Sequence, residues 1–457
     1  MNRSVKIGNG QGFWGDSPDA PLRLVKNQPD LDYLTLDYLA EVSLSIMAVQ
    51  REQDPRLGYA RDFISVAKAL TSEWKNKRKL RVVTNAGGLN PRGCAEACIA
   101  ALRDAGCKGM KVGLVTGDDV LPFAKEPGAH AEHFRNWETG EPISTVADRL
   151  TTAHAYIGAD SVAEALRGGA DIVVTGRVAD PSLTVAPCIV EFNWSMTDYH
   201  RLAQATIAGH LIECGTQVSG GILTDWLELD DPVDLGFPVV EVESNGSFIV
   251  TKPPRTGGKV SLLSVKEQFL YEMGSSDTYI SPDCVVKLDD IEFTEEGPNR
   301  IRAQGARGQV PTDFYKVSAT YRDGYTASGM LTIVGRNAVE KARRAGEIVF
   351  ERVRRAGFDL ARTHIECLGN GDAVPGVLRR PDPEDVVEVV LRLSAADPRK
   401  EAVDRFAKEI APMVTGGPPG TTGYATGRAK VRPVYGYWPC LVPRTLVKPT
   451  IEILEVT

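Results

Sequence analysis

The chain has 457 residues, enough for two or three domains with real cores, and its 42% hydrophobic and 25% charged residues are ordinary for a water-soluble globular protein. A formal net charge of −7 argues against nucleic acid as a main partner, and no apolar run approaches the roughly 18 residues a membrane helix needs. The opening MNRSVKIGNG lacks the apolar stretch of a signal peptide, so the expected compartment is the cytoplasm. Taken in chain order, SVKIGN, LDYLTLD, LRVVT, KVGLVT and DIVVTG read as strands separated by helical patterns, which predicts βαβ units and a largely parallel sheet. Between the second and third, Leu39, Val42, Ile46 and Val49 recur at helical spacing and predict one buried face. Asn90 and Pro91 read as N-cap and first residue of a helix, and DSVAE carries capping-box spacing at Ser161 and Glu164. Near residue 230 the texture changes. FPVVEVESNGSFIVTK predicts a hairpin, and AVEKARRAGEIVFERVRRAG predicts an amphipathic helix with Val339, Ala342, Val349 and Val353 inward. The expected architecture is therefore α/β, a Rossmann-like parallel-sheet domain over 1–228 followed by an α+β domain over 229–457.

The eight cysteines, Cys94, Cys98, Cys107, Cys188, Cys214, Cys284, Cys367 and Cys440, form no C-x-x-C pair and are expected to be packed thiols. His130 and His133 flank Glu132 in a loop-like stretch, and no metal-ligand set is assigned.

Three strands end alike, in VVTNAGG, LVTGDD and VVTGRVADP, at Thr84, Thr116 and Thr175. In a parallel sheet these ends share one edge, where ligands bind. Each loop, with Asn85, Gly87, Gly88, Asp118, Arg177 or Asp180, can be a turn or part of a site; Asp180 and Pro181 repeat the N-cap and first-residue pattern. The loop before Asn90 is a candidate anion site, because a helix N-terminus presents free N–H groups. GNGQG is not a proper dinucleotide fingerprint, and no Walker A loop or G-x-S-x-G elbow occurs. In GHLIECGTQVSGG, His210 and Glu213 are three apart, as an acid–base pair or as a satisfied core histidine with a capping glutamate. Lys252, Arg255 and Arg428, in TKPPRTGG and GGPPGTTGYATGR, either offer cations to an anionic substrate or belong to tight crossings.

The stretches IGNGQGFWGDSPDA, LDYLTLDYLAEVSLSIM, VVTNAGGLNP, ADIVVTGRVADPSLT, GHLIECGTQVSGG and TKPPRTGGKV together resemble the acyclic terpene utilisation AtuA family. The resemblance implies a place in the breakdown of citronellol and geraniol through CoA thioesters. Longer members carry an extra C-terminal region; this chain ends at PTIEILEVT, and the resemblance implies that a separate small protein supplies it, in a homo- or hetero-oligomer. Motif membership brings Asn9, Trp14, Asp16, Asn85, Asp118, Arg177, Asp180, His210, Glu213, Gln217 and Lys252 forward as site candidates.

The expected function is a carbon–oxygen lyase of hydratase/dehydratase type on a small hydroxy or unsaturated acid or its acyl-CoA thioester. His210, Glu213 and Asp180 are the expected catalytic residues. Asn9, Trp14, Asp16, Asn85, Gly87, Gly88, Asp118, Arg177, Gln217 and Lys252 are expected to bind substrate. No cofactor is required, with CoA part of the substrate. One alternative holds Mg²⁺ through Asp16, Asp118, Asp180 or Glu213; another is a non-catalytic subunit that binds acyl-CoA or a partner protein.

Overall fold

The computed structural model describes residues 4–40, 43–377, 379–423 and 427–457. The chain divides into two compact units, one of residues up to 320 together with 438–457, the other of 321–437. These limits do not coincide with the expected 228/229 division, because the hairpin after residue 229 joins the sheet of the first unit.

In that unit the expected strands form as β1 (Ser4–Asn9), β2 (Tyr33–Leu36), β3 (Arg81–Thr84), β4 (Lys111–Thr116) and β5 (Ile172–Thr175). The hairpin supplies β6 (Val239–Glu243) and β7 (Phe248–Thr251), followed by β8 (Glu292–Gly297), β9 (Arg300–Gln304) and β10 (Thr450–Glu455). The ten-stranded order is β8-β9-β7-β6-β1-β2-β3-β5-β4-β10. The middle run β1-β2-β3-β5-β4 is parallel, while β6 and β10 pair antiparallel at its two ends. The sheet is thus mixed rather than purely parallel. Its parallel strands are buried apolar runs, as helices on a sheet face require.

Helices α1 (Pro91–Asp104), α2 (Asp160–Arg167), α3 (Ser182–Phe192), α4 (Tyr199–Glu213) and α5 (Leu262–Leu270) position the site. Asn90 caps α1 as its sequence predicts, accepting from the Gly93 N–H at 2.9 Å. Cys94, Cys98 and Leu102 of α1 pack with Val82, Val112 and Ile172 of the sheet. All eight cysteines are free; seven are buried and Cys214 is half-buried. Two local expectations change. The helix Ser43–Gln53 buries Leu44, Met47 and Ala48 and leaves Ile46 exposed, with Val42 outside the described residues. The Ser161–Glu164 capping box does not form; a distant carboxylate, Asp283, accepts the Ala159 N–H at 2.7 Å instead.

The second unit pairs strands in the order Arg362–Leu368, Glu388–Asp397, Phe314–Val334, Arg432–Pro443, the last two also reaching into the first unit. The amphipathic helix Ala338–Arg355 buries Val339, Ala342, Val349 and Val353, as expected, against Leu391, Leu393 and Phe406. Part of GGPPGTTGYATGR, residues 424–426, lies outside the described residues, and Arg428 is exposed. Among the described residues, no helix is long and apolar enough to cross a membrane.

Candidate active site

The parallel register places Thr84 beside Val174 and Thr175 beside Val115, so β3, β5 and β4 end on one edge. What the loops beyond that edge do differs sharply.

After β3, the loop is built into the protein. Asn85 is fully buried; its Oδ1 accepts the Tyr38 N–H at 2.7 Å and its Nδ2 donates to Asp37 at 2.7 Å. The N–H groups of Ala86, Gly88, Leu89 and Asn90 donate to Thr84 Oγ1, Asn85 O, Gly58 O and Gly87 O. A Cβ on Gly87 would lie 2.4 Å from the Thr175 carbonyl oxygen, and Gly88 has φ +48°. Four of the N–H groups expected to hold an anion thus have partners within the fold. A buried loop pairs its donors where it can, and both glycines lie where the chain itself approaches closely.

After β5, the loop builds a charged corner. The Arg177 guanidinium donates to Leu39 O at 2.8 Å, pairs with Asp180 at 2.6 Å and lies 4.0 Å from the Tyr156 ring centroid. Asp180 is not an N-cap: α3 begins at Ser182 without a side-chain cap. Its carboxylate takes the guanidinium instead, because a buried Arg needs an acidic partner more than a helix end needs a cap. Arg177 is thereby committed inside the protein.

After β4, Asp118 Oδ2 accepts from the Arg177 N–H at 2.8 Å and lies 2.7 Å from His154 Nδ1. Burial would lower the His154 pKa, but the charge and hydrogen bond of Asp118 outweigh it and hold it above its ordinary value.

His210 and Glu213 sit in the last turn of α4, whose residues from Leu202 to Glu213 are all buried. Asn9, at the end of β1, fixes that turn by donating to Ile212 O at 2.7 Å and Glu213 O at 2.9 Å. Close packing makes this reach possible; a Cβ on Gly12 would lie 2.6 Å from the backbone of Cys214 and Gly215. His210 Nε2 faces the carbonyls of Gln268 and Phe269 at 3.1 and 3.3 Å, and Nδ1 faces Glu213 Oε1 at 3.2 Å. These carbonyls end α5 and only accept, so Nε2 carries the proton. Nδ1 is then an acceptor and the proton between the two side chains belongs to Glu213. The electrostatics agree. Burial, then the charges of Asp180 and Glu272, push the Glu213 pKa well up, while burial pulls His210 down. Glu213 Oε2 is buried and has no hydrogen-bond partner.

Asp180, His210 and Glu213 line one cavity of ≈ 580 Å³, together with Glu272, Lys316 and aromatic walls that include Tyr156, Tyr279 and Phe314. The other candidates are distributed differently. Arg177 and Asn9 stand behind the carboxyls. Trp14 donates to Asp62 at 2.8 Å, and Asp16 accepts from the Gly12 N–H at 2.7 Å. Gln217 Oε1 is buried without a partner, and Gln217 is not among the lining residues. Lys252 Nζ donates to Thr256 O at 2.6 Å within its own turn, in a different cavity with Lys6, Arg255 and Arg300. Glu272, Tyr279, Tyr156 and Lys316 are additions for which no spacing in the sequence gave a signal; Glu272 has φ +60°, a strained backbone of the kind that clusters at functional sites. Among the described residues, no group of three or more His, Cys, Asp or Glu converges as a metal site.

The family model described as acyclic terpene utilisation family protein AtuA matches residues 5–453. No curated protein and no solved structure matches.

Proposed function

Since the chain belongs to the acyclic terpene utilisation AtuA family, we propose that it is an acid–base enzyme of that metabolism, a hydratase/dehydratase acting on a hydroxyacyl or enoyl compound. One observation carries the reading: two carboxyls line the same cavity in unlike surroundings, Asp180 ion-paired to Arg177 and Glu213 facing His210 with its pKa pushed well up by burial and by the charge of Asp180. Carboxyls whose surroundings hold them in different states are natural acid and base partners.

In the dehydration direction, Asp180 removes the proton alpha to the carbonyl. Glu213 gives its proton to the departing beta-hydroxyl, which leaves as water as the carbon–carbon double bond forms. In the free protein that proton rests against His210 Nδ1; a half-turn of the Glu213 carboxyl presents it to the substrate. His210, with both ring nitrogens engaged, is here a positioning residue rather than the base expected from its spacing. Arg177 stabilises the Asp180 carboxylate, and Asn9 holds the turn that carries Glu213. No electron transfer occurs in this reaction, so no redox cofactor enters the proposal, and CoA is a handle on the substrate.

Exchange of the substrate alpha-proton in deuterated water, measured together with water release from short hydroxyacyl thioesters, tests the assignment. Asp180→Asn should lose exchange, whereas Glu213→Gln should lose water release. Wild-type rates in both variants would remove these carboxyls from the chemistry.

A second reading also has an observation behind it. Ile222, Leu227 and Val233, within twelve residues of one another in the chain, are 70%, 92% and 90% exposed. A subunit that docks the small partner implied by the family would have such a surface. Catalysis by the isolated chain would argue against a purely partner-binding role.

A further inference from the structure

A second cavity, of ≈ 540 Å³, is lined from the neighbouring strands β1, β6, β7 and β9 and shares no lining residue with the Asp180–Glu213 cavity. It gathers four cations, Lys6, Lys252, Arg255 and Arg300, around one carboxylate, Glu241, in a chain whose net charge is −7. Two of the four are already neutralised. Glu241, opposite Lys6 in the β1–β6 register, meets Arg300 at 2.7 Å and Lys6 at 3.4 Å, and Lys6 also pairs with Asp30.

Lys252 and Arg255 are not. Lys252 is only 8% exposed, yet among the described residues its ammonium meets no carboxylate. Its Nζ donates to two neutral oxygens, Thr256 O at 2.6 Å and Thr256 Oγ1 at 3.3 Å, which leaves one of its three N–H groups unused. Burial lowers its pKa, opposed only by the charge of Asp234, which is itself paired with Arg23. A buried ammonium without a counter-ion is costly, so this is where an arriving anion gains most. Three residues on, Arg255 is exposed, has no ion pair among the described residues, and holds φ +63°, an uncommon conformation for a residue other than glycine. Asn299, also lining the cavity, accepts the Val260 N–H at 2.9 Å through Oδ1 and keeps its Nδ2 donor unengaged.

We propose that this cavity binds a phosphoryl group, held by Lys252 and Arg255 with Asn299 as a neutral donor. A tetrahedral dianion accepts from several directions at once, so it suits a point charge, a forked guanidinium and an amide together, and its charge balances the two unpaired cations. The volume admits a small phosphate or phosphate ester, while the net negative charge of the chain disfavours long polyanions. The site is independent of the chemistry at Asp180 and Glu213, so either reading can fail alone.

Calorimetry on the full chain in low-salt buffer would compare inorganic phosphate, pyrophosphate, adenosine 5′-monophosphate and acetate. The phosphate-bearing probes should bind saturably, the best of them about tenfold or more tightly than acetate. Tighter binding of the nucleotide than of inorganic phosphate would support an ester as the natural source, and the reverse order would support the free ion. Arg255→Gln and Lys252→Gln should each weaken the best probe about tenfold, with circular dichroism confirming the fold. Lys108→Gln, which removes the same charge from an exposed position outside the cavity, should change affinity by less than about twofold. Because Arg255 is exposed, its substitution stays readable even if Lys252→Gln does not fold. No saturable binding of any phosphate-bearing probe, equal binding of acetate, or a folded Arg255→Gln variant with wild-type affinity would each overturn the proposal.

Discussion

Two buried histidine–carboxylate pairs in this protein look alike, and their histidines are shifted in opposite directions. His154 lies 2.7 Å from Asp118, and His210 lies 3.2 Å from Glu213. Asp118 also accepts a backbone N–H from Arg177, and its charge and hydrogen bond raise the pKa of His154 against the effect of burial. Glu213 has no such donor and faces Asp180 and Glu272, so it keeps its proton, while His210 turns its own N–H to two carbonyls. Residue type and distance therefore do not assign protonation; the next shell of charges and donors does. The first pair ties loops together at the sheet edge. The second lines a cavity.

The largest expected effect separates the pairs by function. Glu213→Gln should cut turnover by roughly 10²–10⁴-fold with the fold preserved, the usual cost of a lost proton-transfer group. Circular dichroism alongside kinetics would check both halves. Asp118→Ala should instead destabilise, by about 3–5 kcal/mol, because it breaks a buried pair and leaves both the His154 ring and the Arg177 N–H without their acceptor. Denaturant midpoints would measure it, and an unchanged midpoint would show that Asp118 does not hold these loops together. Asn9→Ala is smaller, about 1–3 kcal/mol, from orphaned carbonyls at Ile212 and Glu213; here both melting temperature and kcat should fall, since the turn carrying Glu213 loosens.

The subtlest effect is in pH. Glu213 has a folded pKa above its ordinary value of 4.5, so its contribution to stability is complete below about 4.5 and is lost as pH rises through the higher folded value. His154, raised above 6.5, likewise contributes fully below 6.5 and loses that contribution as pH rises. His210 is lowered, so its contribution is present above 6.5 and is lost as pH falls through the folded value. Melting temperature should therefore fall less steeply from pH 5 to 8 in Glu213→Gln than in the wild type. Imidazole nitrogen shifts followed over pH should show His154 keeping its second proton to higher pH than His210, whose ring stays in the Nε2–H form. Matching shifts at the two rings would erase the contrast.

Much of the site's neighbourhood was legible in advance. The edge shared by Thr84 and Thr175 followed from apolar runs and Gly-bearing ends, and His210 with Glu213 followed from three-residue spacing on a helix. The same signals misled where they were local. Asp180 before Pro181 reads as a cap, yet it pairs with Arg177; Gly87 and Gly88 read as a ligand cradle, yet they meet Thr175, Pro91 and Met47. A glycine at a close approach looks the same in sequence whether the approaching group is a ligand or the chain itself.

The sequence by itself determined the alternation of strands and helices, the hairpin at Val239–Thr251, the inward face of Ala338–Arg355 and the burial of seven of the eight cysteines, since each depends on periodicity and turn chemistry within a few neighbours. Only the tertiary structure decided the mixed sheet, in which β10 closes on β4 from more than 300 residues away. It also decided the joining of Glu272, Tyr279 and Lys316 to Asp180 and Glu213, and the upward shift of the Glu213 pKa. Burial and unscreened charge act through space between segments that sequence separation keeps apart, so the state of a buried carboxyl is set by neighbours that only folding supplies.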